Sequence, residues 1–138
     1  MKNNFNRIAP VYDALSQTIF GDTIRTSQTA HFDKIEAKKR IVILGGGSGK
    51  ILLDLDHLGL ELEVFYIEMS AVMIKKAKAI APFNNIKVEF ACADALQKDL
   101  PVCDVVITNF FLDVFAEQNL IDLMKKLDKV LQPCGIWL

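Results

Sequence analysis

The sequence lacks the features that would place it in a membrane. No apolar run among its 138 residues approaches the length of about 20 that a bilayer-spanning helix needs. Residues 1–7 contain no apolar segment of the kind that forms the centre of a secretory signal. We therefore expect no membrane insertion and a cytoplasmic location.

Cysteine and histidine are scarce and scattered. The three cysteines, Cys92, Cys103 and Cys134, form no C-x-x-C pair and lie in or beside apolar runs, so we expect reduced thiols in the core. His31 and His57 stand apart from each other and from any acid or serine at a catalytic spacing. The sequence therefore predicts neither a metal site nor a histidine-based catalytic centre.

Strong charge of either sign is also missing. The chain has 16 basic and 17 acidic residues, interspersed, and a net charge of −1. This balance does not favour nucleic acid as a partner. The length and the 51% apolar content suit a single domain with one core.

What the sequence does contain is a glycine-dense turn. At residues 41–49, I-V-I-L-G-G-G-S-G, an apolar run leads into a turn and then a helix, for which Ser48 is a suitable N-cap. A phosphate-binding P-loop would need glycine at Leu44 and a hydroxyl residue at Ile51, and the dinucleotide fingerprint fails at Lys50. The backbone N–H groups of such a turn can still bind the polar groups of another ligand.

An acid follows the turn at the distance that a nucleoside site uses. Glu68 ends the next apolar run, residues 62–67, roughly twenty residues after the turn. Its carboxylate can accept hydrogen bonds from both hydroxyls of a ribose. The alternative is an acid that favours the N-terminus of a helix at 70–81; the glycine turn upstream favours the ribose.

Apolar strand patterns and amphipathic helix patterns alternate along the chain. This alternation predicts an α/β fold with a parallel sheet between helices, in which ligands bind beyond the carboxyl ends of the strands. The strand patterns lie at 40–44, 62–67, 86–92 and 104–108, with one beginning at Gly135, and helices include 70–81 and 117–131.

Five segments, in order, resemble the motifs of one enzyme family. They are residues 42–49, 64–77, 93–95, 104–110 and 131–135, the last being L-Q-P-C-G where the family has L-x-P-G-G. The chain resembles the class I S-adenosylmethionine-dependent methyltransferases, most closely the small-molecule branch typified by ubiquinone and menaquinone biosynthesis methyltransferases. The resemblance implies a Rossmann-like doubly wound parallel sheet, S-adenosylmethionine as cofactor and a small-molecule acceptor.

The resemblance also assigns roles to individual residues. The glycine turn would lie against the methionine moiety, Glu68 would hold the ribose, and Met69 would lie against the adenine. Asp94 would accept from the adenine amine, with Ala95 as a backbone contact. The implied cofactor-binding residues are Tyr12, Gly45, Gly46, Gly47, Gly49, Glu68, Met69, Asp94, Ala95, Asn109 and Phe110.

The N-terminal segment is part of the resemblance. Residues 5–13, F-N-R-I-A-P-V-Y-D, are similar to the F-x-x-I-A-x-x-Y-D opening of this branch. Tyr12 would cover the cofactor, or else pack on a helix at the sheet edge. We expect residues 1–37 to form a helical cap on a cofactor-binding core at 38–138, within one domain.

Two departures from the family pattern stand out. Ile43 occupies the position where the family usually has an acid, and the sequence stops at Leu138, inside the fifth strand, with the C-terminal strands absent. From the second departure we expect a fragment of a longer protein rather than a curtailed fold with an exposed sheet edge.

The function predicted is methyl transfer from S-adenosylmethionine by direct displacement, which needs positioning more than a nucleophilic residue. No catalytic residue is assigned. The alternatives are an NAD-dependent oxidoreductase with an irregular fingerprint and a non-catalytic S-adenosylmethionine-binding protein.

Overall fold

The computed structural model describes residues 21–109 and 111–138. Helices and strands alternate along this part of the chain as the sequence pattern predicts, except that no helix separates the strand at 86–92 from the strand at 103–107. The strands are β1 (Arg40–Leu44), β2 (Leu62–Glu68), β3 (Ile86–Cys92), β4 (Cys103–Ile107) and β5 (Leu131–Trp137). The α-helices are α1 (Gly21–Thr29), α2 (Lys50–His57), α3 (Ala71–Lys78) and α4 (Glu117–Val130), and short 3-10 helices lie at Phe32–Lys34 and Leu112–Val114.

The described strands form one parallel sheet in the order β3-β2-β1-β4-β5. The order reverses between β1 and β4, because the chain adds strands to one side of β1 first and then to the other. β1 is therefore a central strand and its side chains from Ile41 to Leu44 are buried. This arrangement confirms the doubly wound parallel sheet expected from the sequence.

Two hydrophobic clusters cover the two faces of the sheet. Ile41 and Ile43 of β1 belong to one cluster, together with residues of α2 and α3. Val42 and Leu44 belong to the other, together with Leu123 and Leu127 of α4. Because successive side chains of a strand point to opposite faces, the run of apolar residues in β1 serves both clusters.

Asp56, in the last turn of α2, ties this helix to the start of β3. Its carboxylate accepts hydrogen bonds from the backbone N–H groups of Asn84, Asn85 and Ile86 at 2.7–3.3 Å. The contact lies at the amino ends of the strands, opposite to their carboxyl ends.

Several expected boundaries shift. The N-cap of α2 is Gly49, with φ 89°, and no side chain caps that helix, so the expectation of a Ser48 cap is wrong. β5 begins at Leu131, well before the expected Gly135, because Leu131 pairs with Cys103 ahead of the register irregularity that precedes the pairing of Ile136 with Val105.

The cysteine expectation holds for one residue of three. Cys103 is buried, and burial raises its pKa to about 11. Cys92 and Cys134 are free and exposed, so their assignment to the core is wrong.

Within residues 21–109 and 111–138, no helix is both long enough and apolar enough to cross a bilayer. The predicted N-terminal cap is described only from residue 21, where α1 and the first 3-10 helix lie, and Tyr12 is outside the described residues. The division into cap and core stays a prediction.

Candidate functional site

The predicted ligand residues that the structure describes follow the carboxyl ends of β1, β2, β3 and β4. The strand order reverses between β1 and β4, and ligand sites of open parallel sheets lie outside the carboxyl ends of the strands at such a point. The turn after β1 and the loop after β2 are neighbours across the edge. The loop after β3 joins them, because the Ala93 N–H donates to the Glu68 carbonyl at 3.2 Å.

Gly47 is the glycine of the turn that has open space beside its Cα. Its φ is +63°, a conformation that glycine adopts without strain, and no heavy atom beyond Gly47 and its two chain neighbours lies within 4 Å of the position that a Cβ would occupy. A ligand can therefore approach the backbone of Gly47 closely.

The other predicted glycines of the turn lie against protein side chains. An ideal Cβ on Gly45 would lie 2.2 Å from the Phe111 ring, and one on Gly46 would lie 2.3 Å from the Tyr66 ring. One on Gly49 would lie 2.6 Å from the Ala77 Cβ in α3. These three glycines allow close packing of the turn against its surroundings.

Glu68 points at the glycine turn. Its Oε2 accepts a hydrogen bond from the Gly47 N–H at 3.1 Å, and its Oε1 accepts one from the Ser70 N–H at 2.8 Å. An ionised carboxylate offers about four acceptor sites, so each oxygen keeps a further lone pair for a ligand donor. The arrangement fits a pair of vicinal hydroxyls.

The side chain that caps α3 is that of Ser70, whose Oγ accepts from the Met73 N–H at 3.3 Å. Glu68 contacts the backbone of the cap residue but also reaches Gly47 on the neighbouring turn. The helix-cap interpretation of Glu68 accounts for the first contact and leaves the second unexplained.

The residues predicted to surround an adenine flank this point. Met69 is 41% exposed, beside the carboxyl end of β2. The Asp94 Oδ1 accepts from the Leu96 N–H at 2.9 Å and so orders its own turn, while Ala95 is buried beneath it. An exposed apolar side chain and an acidic turn thus follow the neighbouring strands β2 and β3.

Lys126 of α4 holds the turn of Asp94 and Ala95 in place, and sequence reasoning missed it. Its Nζ donates to the carbonyls of Ala95, Leu96 and Lys98 at 2.5–3.0 Å. Burial lowers the pKa of Lys126. Its partners are backbone groups about thirty residues away in the sequence, so no sequence motif predicts the contact.

The end of β4 closes the other side of the site. The Asn109 Nδ2 donates to the Gln28 carbonyl of α1 at 3.1 Å, and the ring of Phe111 packs on Gly45 and meets Phe115 edge-to-face with centroids 4.9 Å apart. Phe110 lies outside the described residues. The predicted turn and acid residues converge, and Asn109 links the site to the helical segment before β1.

The described part of the chain contains no cluster of three or more histidine, cysteine or acidic residues able to hold a metal ion.

Known proteins share this sequence pattern and fold. A family model described as a methyltransferase domain matches residues 41–135. Carboxy-S-adenosyl-L-methionine synthase from Nautilia profundicola is 31% identical over 99 residues, which cover 72% of this chain and 42% of that protein. The chain spans about half the length of the curated relatives that it matches, between 39% and 58%.

Solved structures agree on the fold. The CcbJ methyltransferase from Streptomyces caelestis superposes with a TM-score of 0.69 at 25% identity, covering 96% of this chain and 54% of that one. Phosphoethanolamine N-methyltransferase 1 from Haemonchus contortus, in complex with phosphoethanolamine and S-adenosylhomocysteine, superposes with a TM-score of 0.70 at 17% identity, covering 94% of this chain and 30% of that one. With the family model matching well over half of its residues, the chain belongs to the methyltransferase-domain family.

Proposed function

We propose that this protein is an enzyme that binds S-adenosylmethionine and transfers its methyl group to a small-molecule acceptor. The observation that carries the proposal is the carboxylate of Glu68, which accepts from the N–H groups of Gly47 and Ser70 and so reaches the turn after β1, the strand at which the order reverses. Family membership and a structural neighbour in complex with S-adenosylhomocysteine support the same ligand.

Each part of the ligand has a matching group in the site. Glu68 would accept from the ribose hydroxyls, and the open backbone of Gly47 would lie beside the amino-acid tail. Met69 and the turn of Asp94 and Ala95 would bracket the adenine. Gly45, Gly46 and Gly49 would contribute by keeping the turn packed, since a Cβ at each of them would meet protein atoms.

S-Adenosylmethionine supplies a methyl group activated by its positively charged sulfur. In the transfer, a lone pair of the acceptor forms a bond to the methyl carbon while the sulfur–methyl bond breaks, and S-adenosylhomocysteine leaves. Phe111 and Phe115 would provide an apolar wall that excludes water and places the acceptor in line. Asn109 and Phe110 are proposed to line the same cavity and Tyr12 to cover it.

Calorimetric titration tests the cofactor assignment. We expect S-adenosylhomocysteine to bind the purified protein and NADH not to bind. Binding of NADH alone would overturn the proposal in favour of the oxidoreductase alternative. Binding of S-adenosylhomocysteine without turnover of any acceptor in a broad screen would favour a non-catalytic binding protein.

A second candidate function comes from the relatives. Curated relatives of this chain carry the name carboxy-S-adenosyl-L-methionine synthase, and one is 31% identical. Mass spectrometry of the nucleoside product separates the two candidates. A methyltransferase converts S-adenosylmethionine to S-adenosylhomocysteine. A synthase of this kind instead yields S-adenosylmethionine that carries an added carboxyl group.

We further propose a cytoplasmic location, where S-adenosylmethionine is available. The near-neutral charge supports a small molecule over nucleic acid as the acceptor.

A further inference from the structure

Tyr66 is a buried polar side chain directly beneath the glycine turn. Its side chain lies in β2, is 0% exposed and packs edge-to-face on Phe90. The Tyr66 Oη donates a hydrogen bond to the Gly47 carbonyl at 2.8 Å, and its ring fills the space that a Cβ on Gly46 would need. A buried hydroxyl must be paired, so this bond fixes the distance between β2 and the turn.

Tyr66 and Glu68 hold the two peptide groups on either side of the Gly47 Cα. Glu68 accepts from the Gly47 N–H, which belongs to the peptide between residues 46 and 47. Tyr66 donates to the Gly47 carbonyl, which belongs to the peptide between residues 47 and 48. Because these side chains are two residues apart on one strand, they reach the turn from the same face of the sheet.

This double contact acts on the glycine of the turn whose Cβ position faces open space. Gly47 has no side chain, adopts a positive φ, and has open space where a Cβ would be. In a planar trans peptide the carbonyl and the following N–H point in opposite directions, so holding the Gly47 carbonyl turns the Ser48 N–H away from Tyr66.

We infer that Tyr66 is a positioning residue that pre-orders the glycine turn for the amino-acid tail of the bound nucleoside. The inference rests on the proposed function for the identity of that ligand. Pre-ordering removes part of the entropy that binding would otherwise have to supply, and it acts on the tail rather than on the adenosine. Tyr66 touches the turn and not the ligand.

The test is Tyr66→Phe, which removes the hydroxyl and keeps the ring against Gly46. We expect the Kd for S-adenosylhomocysteine to rise roughly three- to tenfold, the loss of one hydrogen bond. The Kd for 5′-methylthioadenosine, which has the adenosine but no amino-acid tail, should change less than about twofold. Equal losses for both ligands, or no loss for either, would overturn the inference.

Ile41→Val is the matched control. Ile41 is 0% exposed on the same face of the neighbouring strand, at the other end from the turn, so its truncation lowers stability without touching Gly47. We expect it to lower the melting temperature and to leave both Kd values unchanged.

Hydrogen exchange tests the same inference without any ligand. Tyr66→Phe should speed amide exchange at residues 47–49, and Ile41→Val should not. If the wild-type protein binds no S-adenosylhomocysteine, the proposed function fails, and the exchange result still decides whether Tyr66 orders the turn. Unchanged exchange in Tyr66→Phe would refute that role.

Discussion

Cys134 adopts a backbone conformation that glycine would adopt at lower energy. Its φ is +65°, and its side chain is exposed, so replacement by glycine removes no buried contact. A non-glycine residue in the left-handed region carries a strain of about 1–2 kcal/mol. Glycine adds about 0.5–1 kcal/mol of entropy to the unfolded chain, so Cys134→Gly should stabilise the fold by about 0.5–1 kcal/mol.

Differential scanning calorimetry in a reducing buffer measures this effect. For a domain of this size we expect a melting temperature about 2–4 °C above that of the wild type. Lys38→Gly should shift it in the same direction, because Lys38 has a φ of +59° and is exposed.

Lys125→Gly is the control for which we expect the opposite change, a lower melting temperature. Lys125 lies in the exposed interior of α4, where glycine costs about 1 kcal/mol. A Cys134→Gly protein that is destabilised as much as Lys125→Gly would refute the strain argument.

Three further changes test other contacts. Burial alone would raise the pKa of Asp56, but hydrogen bonds from three backbone N–H groups lower it below the ordinary 3.8. Asp56→Asn should therefore lower the free energy of unfolding at neutral pH. This loss should become smaller as the pH of the denaturation experiment falls below 3.8, because the Asp56 carboxylate of the wild type is then protonated. Lys126→Met removes the donors to three loop carbonyls and should lower the free energy of unfolding by about 1–2 kcal/mol and speed hydrogen exchange at residues 94–98. Gly46→Ala should destabilise by about 1–3 kcal/mol, because its methyl group meets the Tyr66 ring, and Tyr66→Ala should make that substitution less harmful in the double variant.

Each of these predictions has a control. Asp128→Asn, which removes a carboxylate from the exposed face of α4, should change the stability at neutral pH by less than Asp56→Asn does. Lys125→Met, one residue from Lys126 but exposed, should leave loop exchange unchanged. Strict additivity of the Gly46 and Tyr66 substitutions would contradict the packing contact.

The sequence predicts those elements whose residues alternate or repeat on a regular period. β1 and β3 begin and end at the residues expected, and α4 differs by one residue, because apolar periodicity reports burial directly. The start of β5 lies four residues before the expected Gly135, because Leu131 is placed by pairing with Cys103 and not by its own pattern.

The candidate site likewise contains some residues that the sequence predicts and others that it does not. The glycine turn and Glu68 lie in contact, as their spacing in the sequence predicts. Tyr66 and Lys126 could not be found, because each acts on backbone groups that only the folded chain brings near. The separate packing roles of Gly45, Gly46 and Gly49 likewise depend on side chains from three other elements.

The central claim is that Glu68 holds the ribose of an adenosine ligand, and titration of S-adenosylhomocysteine into Glu68→Gln tests it most directly. Glu63→Gln is the matched control, since Glu63 lies on the same strand but is exposed and pairs with Arg40 at 3.0 Å. We predict that Glu68→Gln raises the Kd at least about tenfold through the loss of charge-assisted hydrogen bonds, while Glu63→Gln leaves it unchanged. Equal affinity in the wild type and Glu68→Gln would contradict the account.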